Sequence, residues 1–314
     1  MVAHMRKLRR TILTACLLGL AGSASAEYGT TAATYLKIDP SVRSAALGGA
    51  FAGMANDAGS VFHNPAGIGL LSYSEAMFTH QELLQGMRCE SLVYVQPLES
   101  EWSVGFSGEL MSSGSMTRYT AVGDPSGSFS ASEGNLAVSV ARRFDKQLIA
   151  GASFRGLYQG LASEEAYAAA VDVGALYSGR GWRVGASVQN LGTELKLNDT
   201  AFPLPLSAKA GGMVRVWQAV TFSAQATKYI NETPYFGFGF EAPMTLTPRD
   251  FLFFRAGYRT GSSAGAGSGI SLGLGIRDNM LEFNYAFTPM GDLGAAHRFS
   301  LGYRFGDRIE TEPR

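Results

Sequence analysis

Arg298-Phe299-Ser300-Leu301-Gly302-Tyr303-Arg304-Phe305 is the stretch on which the fold turns. Phe299, Leu301, Tyr303 and Phe305 take one parity, and Arg298, Ser300, Gly302 and Arg304 the other. Side chains of an extended chain point alternately to its two faces, so this segment reads as a strand with one apolar, aromatic face and one polar, charged face. The same pattern recurs upstream. Leu281, Phe283, Tyr285 and Phe287 oppose Glu282, Asn284, Ala286 and Thr288; Ile270, Leu272, Leu274 and Ile276 oppose Ser271, Gly273 and Gly275. Trp182, Val184, Ala186 and Val188 oppose Arg183, Gly185, Ser187 and Gln189, and Trp102, Val104, Phe106 and Leu110 oppose Ser103, Gly105, Ser107 and Glu109.

From Tyr73 to Phe305 this alternation marks fourteen strands, centred near residues 77, 92, 106, 136, 152, 171, 185, 210, 224, 238, 255, 273, 284 and 301. An even number is what a single-chain bacterial barrel requires, and such barrels alternate short periplasmic turns with longer outer loops. Short links fall at Pro97–Ser100, Arg143–Lys146, Ser178–Gly181, Val216–Gln218 and Asp278-Asn279, and long ones at Ser113–Phe129 and Asn190–Pro205. With both termini periplasmic the parity holds, except at Ala242–Asp250, a long link on the short side.

A Lys or Arg at the lipid midplane costs ~2–4 kcal/mol, so the aromatic face must meet lipid. Glu109, Arg155, Asp172, Arg183, Lys209, Arg255, Arg259, Glu282, Arg298 and Arg304 are therefore expected to point into the lumen. Trp102, Trp182, Trp217 and Phe251, at strand ends, suit the interfacial girdles. The fold expected is an all-β, fourteen-stranded antiparallel transmembrane barrel in the outer membrane of a Gram-negative bacterium, with outer-membrane lipid as its first partner.

The two ends fit that compartment. Arg6, Lys7, Arg9 and Arg10 precede an apolar stretch, Thr11–Ala21, and Ala24-Ser25-Ala26 forms an A-x-A cleavage site, so residues 1–26 read as a signal peptide. Leu13-Thr14-Ala15-Cys16 resembles a lipobox, but leaves a very short apolar core before Cys16. Removing the four basic residues of the leader leaves 22 basic groups against 26 acidic, a balance with no basic field for nucleic acid. Only Cys89 survives cleavage, which excludes an intrachain disulfide and a cysteine metal site. Residues 306–314 form a short periplasmic tail.

Residues 27–72 lack sustained alternation and are rich in Gly and Ala, reading as a compact plug for a lumen too wide for wall side chains to fill. Asp39-Pro40 is expected to open a short helix by an N-cap followed by Pro at the first helical position. Gly48-Gly49 and Gly53 interrupt it, and Asn56-Asp57 cap another turn before Val61-Phe62. Pro65 lacks an N–H and restricts Asn64, whose side chain can bond nearby backbone, so the chain turns sharply into the first strand. His63 reads as a local polar contact.

The block Val42-Arg43-Ser44-Ala45-Ala46-Leu47-Gly48-Gly49-Ala50-Phe51-Ala52-Gly53, followed by Ala55-Asn56-Asp57-Ala58-Gly59-Ser60-Val61-Phe62-His63-Asn64-Pro65-Ala66-Gly67, resembles the opening of the PorV/PorQ family of outer-membrane proteins. That family is itself similar to FadL-type transporters of hydrophobic compounds, which share an Asn-Pro-Ala element after an N-terminal hatch. Carried over, Asn64, Pro65, Ala66 and Gly67 match the shared element. The resemblance implies a fourteen-stranded barrel that engages or anchors exported cargo proteins or secretion components, as in type IX secretion, through loops such as Ser113–Phe129 and Asn190–Pro205. The alternative implied is a FadL-like channel for hydrophobic small molecules such as fatty acids, with a ligand in the lumen.

Catalytic patterns are missing. His4, His63, His80 and His297 lack metal-ligand spacing, and no Gly-Lys pair or G-x-G-x-x-G run occurs. Gly261-Ser262-Ser263-Ala264-Gly265 matches G-x-S-x-G, but falls between two strands rather than at a strand-to-helix elbow. The chain therefore reads as neither an enzyme nor a holder of metal or cofactor.

Overall fold

The computed structural model describes residues 31–99, 101–197, 199–217, 219–261 and 268–309. The expected leader, residues 1–26, lies outside them, as do the start of the expected plug and the end of the tail. So does most of the G-x-S-x-G stretch.

Eighteen strands follow a short helical segment among the described residues: β1 (Ser74–Glu82), β2 (Arg88–Pro97), β3 (Trp102–Ser112), β4 (Met116–Tyr119), β5 (Pro125–Phe129), β6 (Ala131–Arg143), β7 (Leu148–Leu161), β8 (Glu164–Gly179), β9 (Trp182–Gly192), β10 (Leu195–Leu197), β11 (Thr200–Phe202), β12 (Ser207–Val216), β13 (Val220–Tyr229), β14 (Tyr235–Thr245), β15 (Phe251–Arg259), β16 (Ile270–Arg277), β17 (Leu281–Pro289) and β18 (Ala295–Phe305). Fourteen of them close into one antiparallel barrel, and β4–β5 and β10–β11 are separate hairpins within the two long loops. Closure is made by β1 on β18, with Ser74 opposite Phe305 and Glu82 opposite His297. A closed ladder leaves no unpaired edge, the condition for strands to cross hydrocarbon.

All fourteen expected strand centres fall within barrel strands. The awkward link shortens: β14 runs through Pro243 to Thr245, paired with β15 from Ala242 opposite Phe254 to Thr245 opposite Phe251. Only 246–250 remains as a turn, which restores the short-side parity. A different correction applies to the N-terminal end. The Ala32 N–H donates to the Pro203 carbonyl, and Lys37 Nζ lies 2.6 Å from Glu232 Oε1. Both partners belong to long-side connections, so the described chain begins at the outer end of the lumen, descends through it and reaches the short-turn side only as it enters β1.

The two faces separate by burial. Phe106, Leu136, Phe154, Phe238, Leu274 and Leu301 are exposed on the outside, whereas the alternating Ser107, Ser139, Ser153, Arg255 and Ser300 are buried within. No helix among the described residues is long and apolar enough to cross a membrane. An apolar outer wall on a closed barrel is stable only against hydrocarbon, and this is an outer-membrane barrel. Trp102, Trp182, Trp217 and Phe251 all sit beside short turns and mark one rim. Leu274 lies mid-strand in β16 and is 48% exposed. Replacing it with Arg is expected to destabilise the barrel by ~2–4 kcal/mol in urea unfolding from lipid vesicles, and a shift under about 1 kcal/mol would place that face away from acyl chains.

Candidate functional site

Residues 31–72 fill the lumen with short helical pieces: a 3-10 turn over Thr34–Lys37, the helix α1 (Val42–Ala46), and 3-10 turns over Ala58–Phe62 and Pro65–Leu70. The cap of α1 is Ser41, whose side chain accepts from the Ser44 N–H. The expected Asp39-Pro40 start is displaced by two residues, because Asp39 folds over the helix end instead: its Oδ1 accepts from the Ser41 N–H at 3.0 Å and its Oδ2 from Ser44 Oγ at 2.5 Å. His63 Nε2 stands 3.0 Å from Asp39 Oδ1. Burial pushes the Asp39 carboxyl up, but His63, with the bonds from Ser44 and Ser41, outweighs it and holds the group at about 2. Asp57 and Ser60 form a reciprocal capping box on the next turn, as Asn56-Asp57 suggested.

A plug backbone this irregular must find partners for its peptide groups, and the wall supplies them. Gln225 Oε1 accepts from the Phe51 and Ala52 N–H groups at 3.1 and 2.7 Å. Gln189 Nε2 donates to the Phe62 carbonyl, Ser187 Oγ to that of His63 and Ser271 Oγ to that of Ala46. Asn64 joins plug to wall. Its Oδ1 accepts from the Ala66 N–H at 3.2 Å, capping the Pro65–Leu70 turn, and its Nδ2 donates to the Ala175 carbonyl of β8 at 3.1 Å. Pro65 stands at the first position of that turn and Gly67 packs against Ser60 and Ala55, where a Cβ would lie 2.6 Å from Ser60 Cβ.

Inward-facing glycines make room for this contact. A Cβ on Gly151 would stand 2.6 Å from the Ala66 nitrogen, and one on Gly237 2.5 Å from the Gly48 oxygen. Gly174 leaves the same kind of space for Asn64, and Gly185 for Ala52. Below this belt Val61, Ile68 and Leu71 from the plug pack with Val93, Val95, Ile149 and Leu176 from the wall in one apolar cluster.

Of the charges expected to point inward, Glu109, Arg155, Asp172, Arg255 and Arg298 are buried, Arg183, Lys209, Glu282 and Arg304 are half-buried, and Arg259 is exposed. Arg155 and Asp172 form a buried pair at 2.7 Å. Glu109 accepts from Asn135 and Cys89, and Arg183 reaches the Gly53 carbonyl. Arg255 pairs with Glu241, and Arg304 with Glu282 at 3.2 Å and Glu75 at 3.0 Å. Glu241 and Glu75 were not among the expected residues. Glu241 adjoins the segment read as a loop, and Glu75 precedes the clear alternation of β1. Both anchor the plug: Arg43 of α1 grips Glu241 with two bonds of 2.8 Å and also reaches Asp57 at 3.0 Å, while Glu75 Oε1 accepts from the Ala58 N–H.

Above α1 a cavity of about 240 Å³ opens between the plug and the outer half of the wall. Leu36 and Ile38 from the plug, Leu83, Leu84 and Met87 from the β1–β2 loop, and Met290 give it an apolar rim. Lys209, Arg259 and Arg298 also line it. Among the described residues Lys209 and Arg259 have no hydrogen-bond or ion-pair partner, Arg259 resting only over the Tyr235 ring at 5.5 Å. Arg298 bonds only neutral groups, Gln81 Oε1 at 2.8 Å and Thr288 Oγ1 at 2.9 Å. The one carboxylate lining the cavity, Asp39, is engaged by His63. Such a hollow combines apolar contact with cationic side chains that no carboxylate bonds directly. No group of His, Cys, Asp and Glu suited to a metal ion occurs among the described residues.

Comparison with known proteins places the chain in a family. Residues 15–174 match the model of the uncharacterised protein family UPF0164, slightly more than half of the 314 residues, and the chain belongs to that family. No curated protein sequence matches it. Among solved structures it is similar to the Pseudomonas putida toluene transporter TodX, at 12% identity over 85% of this chain and 99% of that one, with a TM-score of 0.58. It is similar also to the CymD monoaromatic hydrocarbon channel (10% identity, 86% and 98% covered, TM-score 0.60) and to a Pseudomonas aeruginosa FadL homologue (11% identity, 90% and 100% covered, TM-score 0.54). At such identities the likeness is one of fold. The likeness bears out the expected FadL-like barrel, and membership of the PorV/PorQ family, drawn from residues 42–67, is not shown by these matches.

Proposed function

We propose that this UPF0164 barrel is a plugged channel for the uptake of hydrophobic small molecules across the outer membrane, and that its outer cavity receives an amphipathic anion, a fatty acid being the simplest example. The observation that carries this reading is the pairing, in one cavity, of the apolar rim with Lys209, Arg259 and Arg298, none of which has a carboxylate partner among the described residues. Arg298 is buried and Lys209 half-buried, whereas Arg259 is exposed at the outer end of β15. A buried or half-buried cation without a bonded counter-charge is unfavourable, and an anionic head group relieves it. The likeness of the fold to hydrocarbon channels and a FadL homologue supports transport of apolar molecules, and the charge set narrows the class.

Binding of decanoate and of decanol to the protein in nanodiscs tests this. Decanoate is expected to bind more tightly than decanol, and Lys209→Gln to weaken decanoate by roughly 10- to 100-fold, the equivalent of one charge-assisted hydrogen bond, with decanol little changed. Equal affinity for the two, unchanged in Lys209→Gln, would defeat the reading.

A further inference from the structure

The short-turn end of the barrel holds a pair of hollows, of about 670 and 290 Å³, which share Asn56, Phe251, Arg277 and Arg304. Seven arginines and four carboxylates line them. The carboxylates are all engaged. Glu241 is held by Arg43 and Arg255, Glu75 by Arg304, and Glu282 by Arg304, while Asp278 accepts from the Met280 and Leu281 N–H groups at 2.7 and 2.8 Å. Among the described residues the side chains of Arg215, Arg249 and Arg308 have no hydrogen-bond or ion-pair partner, leaving a surplus of positive charge. Arg277 lies over the rings of Phe253 and Phe251, at 4.9 and 5.4 Å, with only a 3.8 Å approach to Glu282. Tyr73, Met280 and Phe305 complete an apolar side.

We propose that this periplasmic hollow is a second binding site for an anionic amphiphile, its head group held by Arg277 and Arg249 and its tail laid on Phe251, Met280 and Phe305. The proposal rests on the reading of the outer cavity, for which this is the receiving site. Stacking on aromatic rings leaves the edge of a guanidinium free to bind a carboxylate through two parallel bonds, an arrangement a lysine does not reproduce.

The two sites are set apart along one strand. Arg298 lines the outer cavity and Arg304 the periplasmic one, and they share the inward face of β18 six residues apart, about 20 Å along an extended strand. Ser300 and Gly302 lie between them on that face, beside a narrow gap of about 10 Å³ that Asp57, Glu75 and Glu282 also line, so the two sites are separate rather than joined by an open passage. On the neighbouring β1, Gln81 Nε2 and Thr79 Oγ1 are buried without a hydrogen-bond partner among the described residues.

Equilibrium dialysis of decanoate against the protein in nanodiscs of zwitterionic phospholipid separates the cases. Two sites per barrel are expected. Arg249→Gln combined with Arg277→Gln weakens one at least tenfold and leaves the other, which Lys209→Gln weakens instead. Arg249→Gln alone, in an exposed turn where folding is not at stake, weakens the same site severalfold. Two sites indifferent to both arginines, or one site that responds to Lys209 and not to them, would overturn the proposal while sparing the outer cavity. One site responding to the arginines alone would keep the proposal and remove the outer reading, and no binding at all would remove both.

Discussion

Replacing Glu241 with Ala is expected to cost about 3–5 kcal/mol of stability, the range found when one partner of a buried ion pair is deleted. Glu241 is 6% exposed and serves two guanidinium groups at once, with Arg43 Nε and Arg255 Nε each 2.8 Å from its Oε2. Removing the carboxylate strands the buried Arg255 and the half-buried Arg43. Arg43 keeps Asp57 at 3.0 Å and Arg255 keeps Asn284 Oδ1 at 2.6 Å, which sets the loss near one broken network rather than two. Because Arg43 is part of α1, the same change loosens the plug. Glu241→Gln, which retains an acceptor, should lose less. Equilibrium unfolding by guanidinium in detergent micelles measures the difference, and a loss under about 1 kcal/mol for the Ala variant would show that the plug is held by its apolar contacts alone.

Gly151→Val and Gly156→Val, five residues apart on β7, are expected to act in opposite directions. Valine suits an extended strand better than glycine, so on local grounds both should stabilise. At Gly156, which faces outward with nothing within 4 Å of an added Cβ, that gain survives. Gly151 faces inward. An added Cβ there meets the Ala66 nitrogen and the Pro65 carbonyl carbon at 2.6 Å, and backbone atoms cannot rotate away as a side chain can. Overpacking of this kind costs ~1–3 kcal/mol, and it falls on the Asn64-Pro65-Ala66-Gly67 joint. Gly151→Val is therefore expected to lower stability and to raise ion conductance in planar bilayers as the plug is pushed off the wall. Identical behaviour of the two variants would mean that the plug does not bear on this strand.

How much of this was legible in the chain depends on the range of the interaction. The fourteen strand centres, the outward faces and the inward set from Glu109 to Arg304 follow from alternation, which is set by neighbouring residues and needs no knowledge of the fold. The plug was marked by lack of alternation, and the Asn64-Pro65 turn by the stereochemistry of proline. Ser41 as the cap of α1 was missed because Asp39-Pro40 carries the stronger local signal, and only the packing of Asp39 against His63 moves the start. The extension of β14 through Pro243 was likewise decided by its partner: β15 lies alongside and continues the pairing beyond the proline.

The sequence by itself therefore determined a barrel, its strand number and which side of each strand meets lipid, because a period of two is written locally and the cost of charge in hydrocarbon fixes its sense. Only the tertiary structure decided which inward charges neutralise one another and which do not. Arg43 and Glu241 are 198 residues apart, and nothing short of barrel closure around the plug brings them together. The same closure leaves Lys209, Arg259 and Arg298 facing a cavity with no free carboxylate, because pairing of charges depends on register and distance across the lumen, which no stretch of chain records on its own.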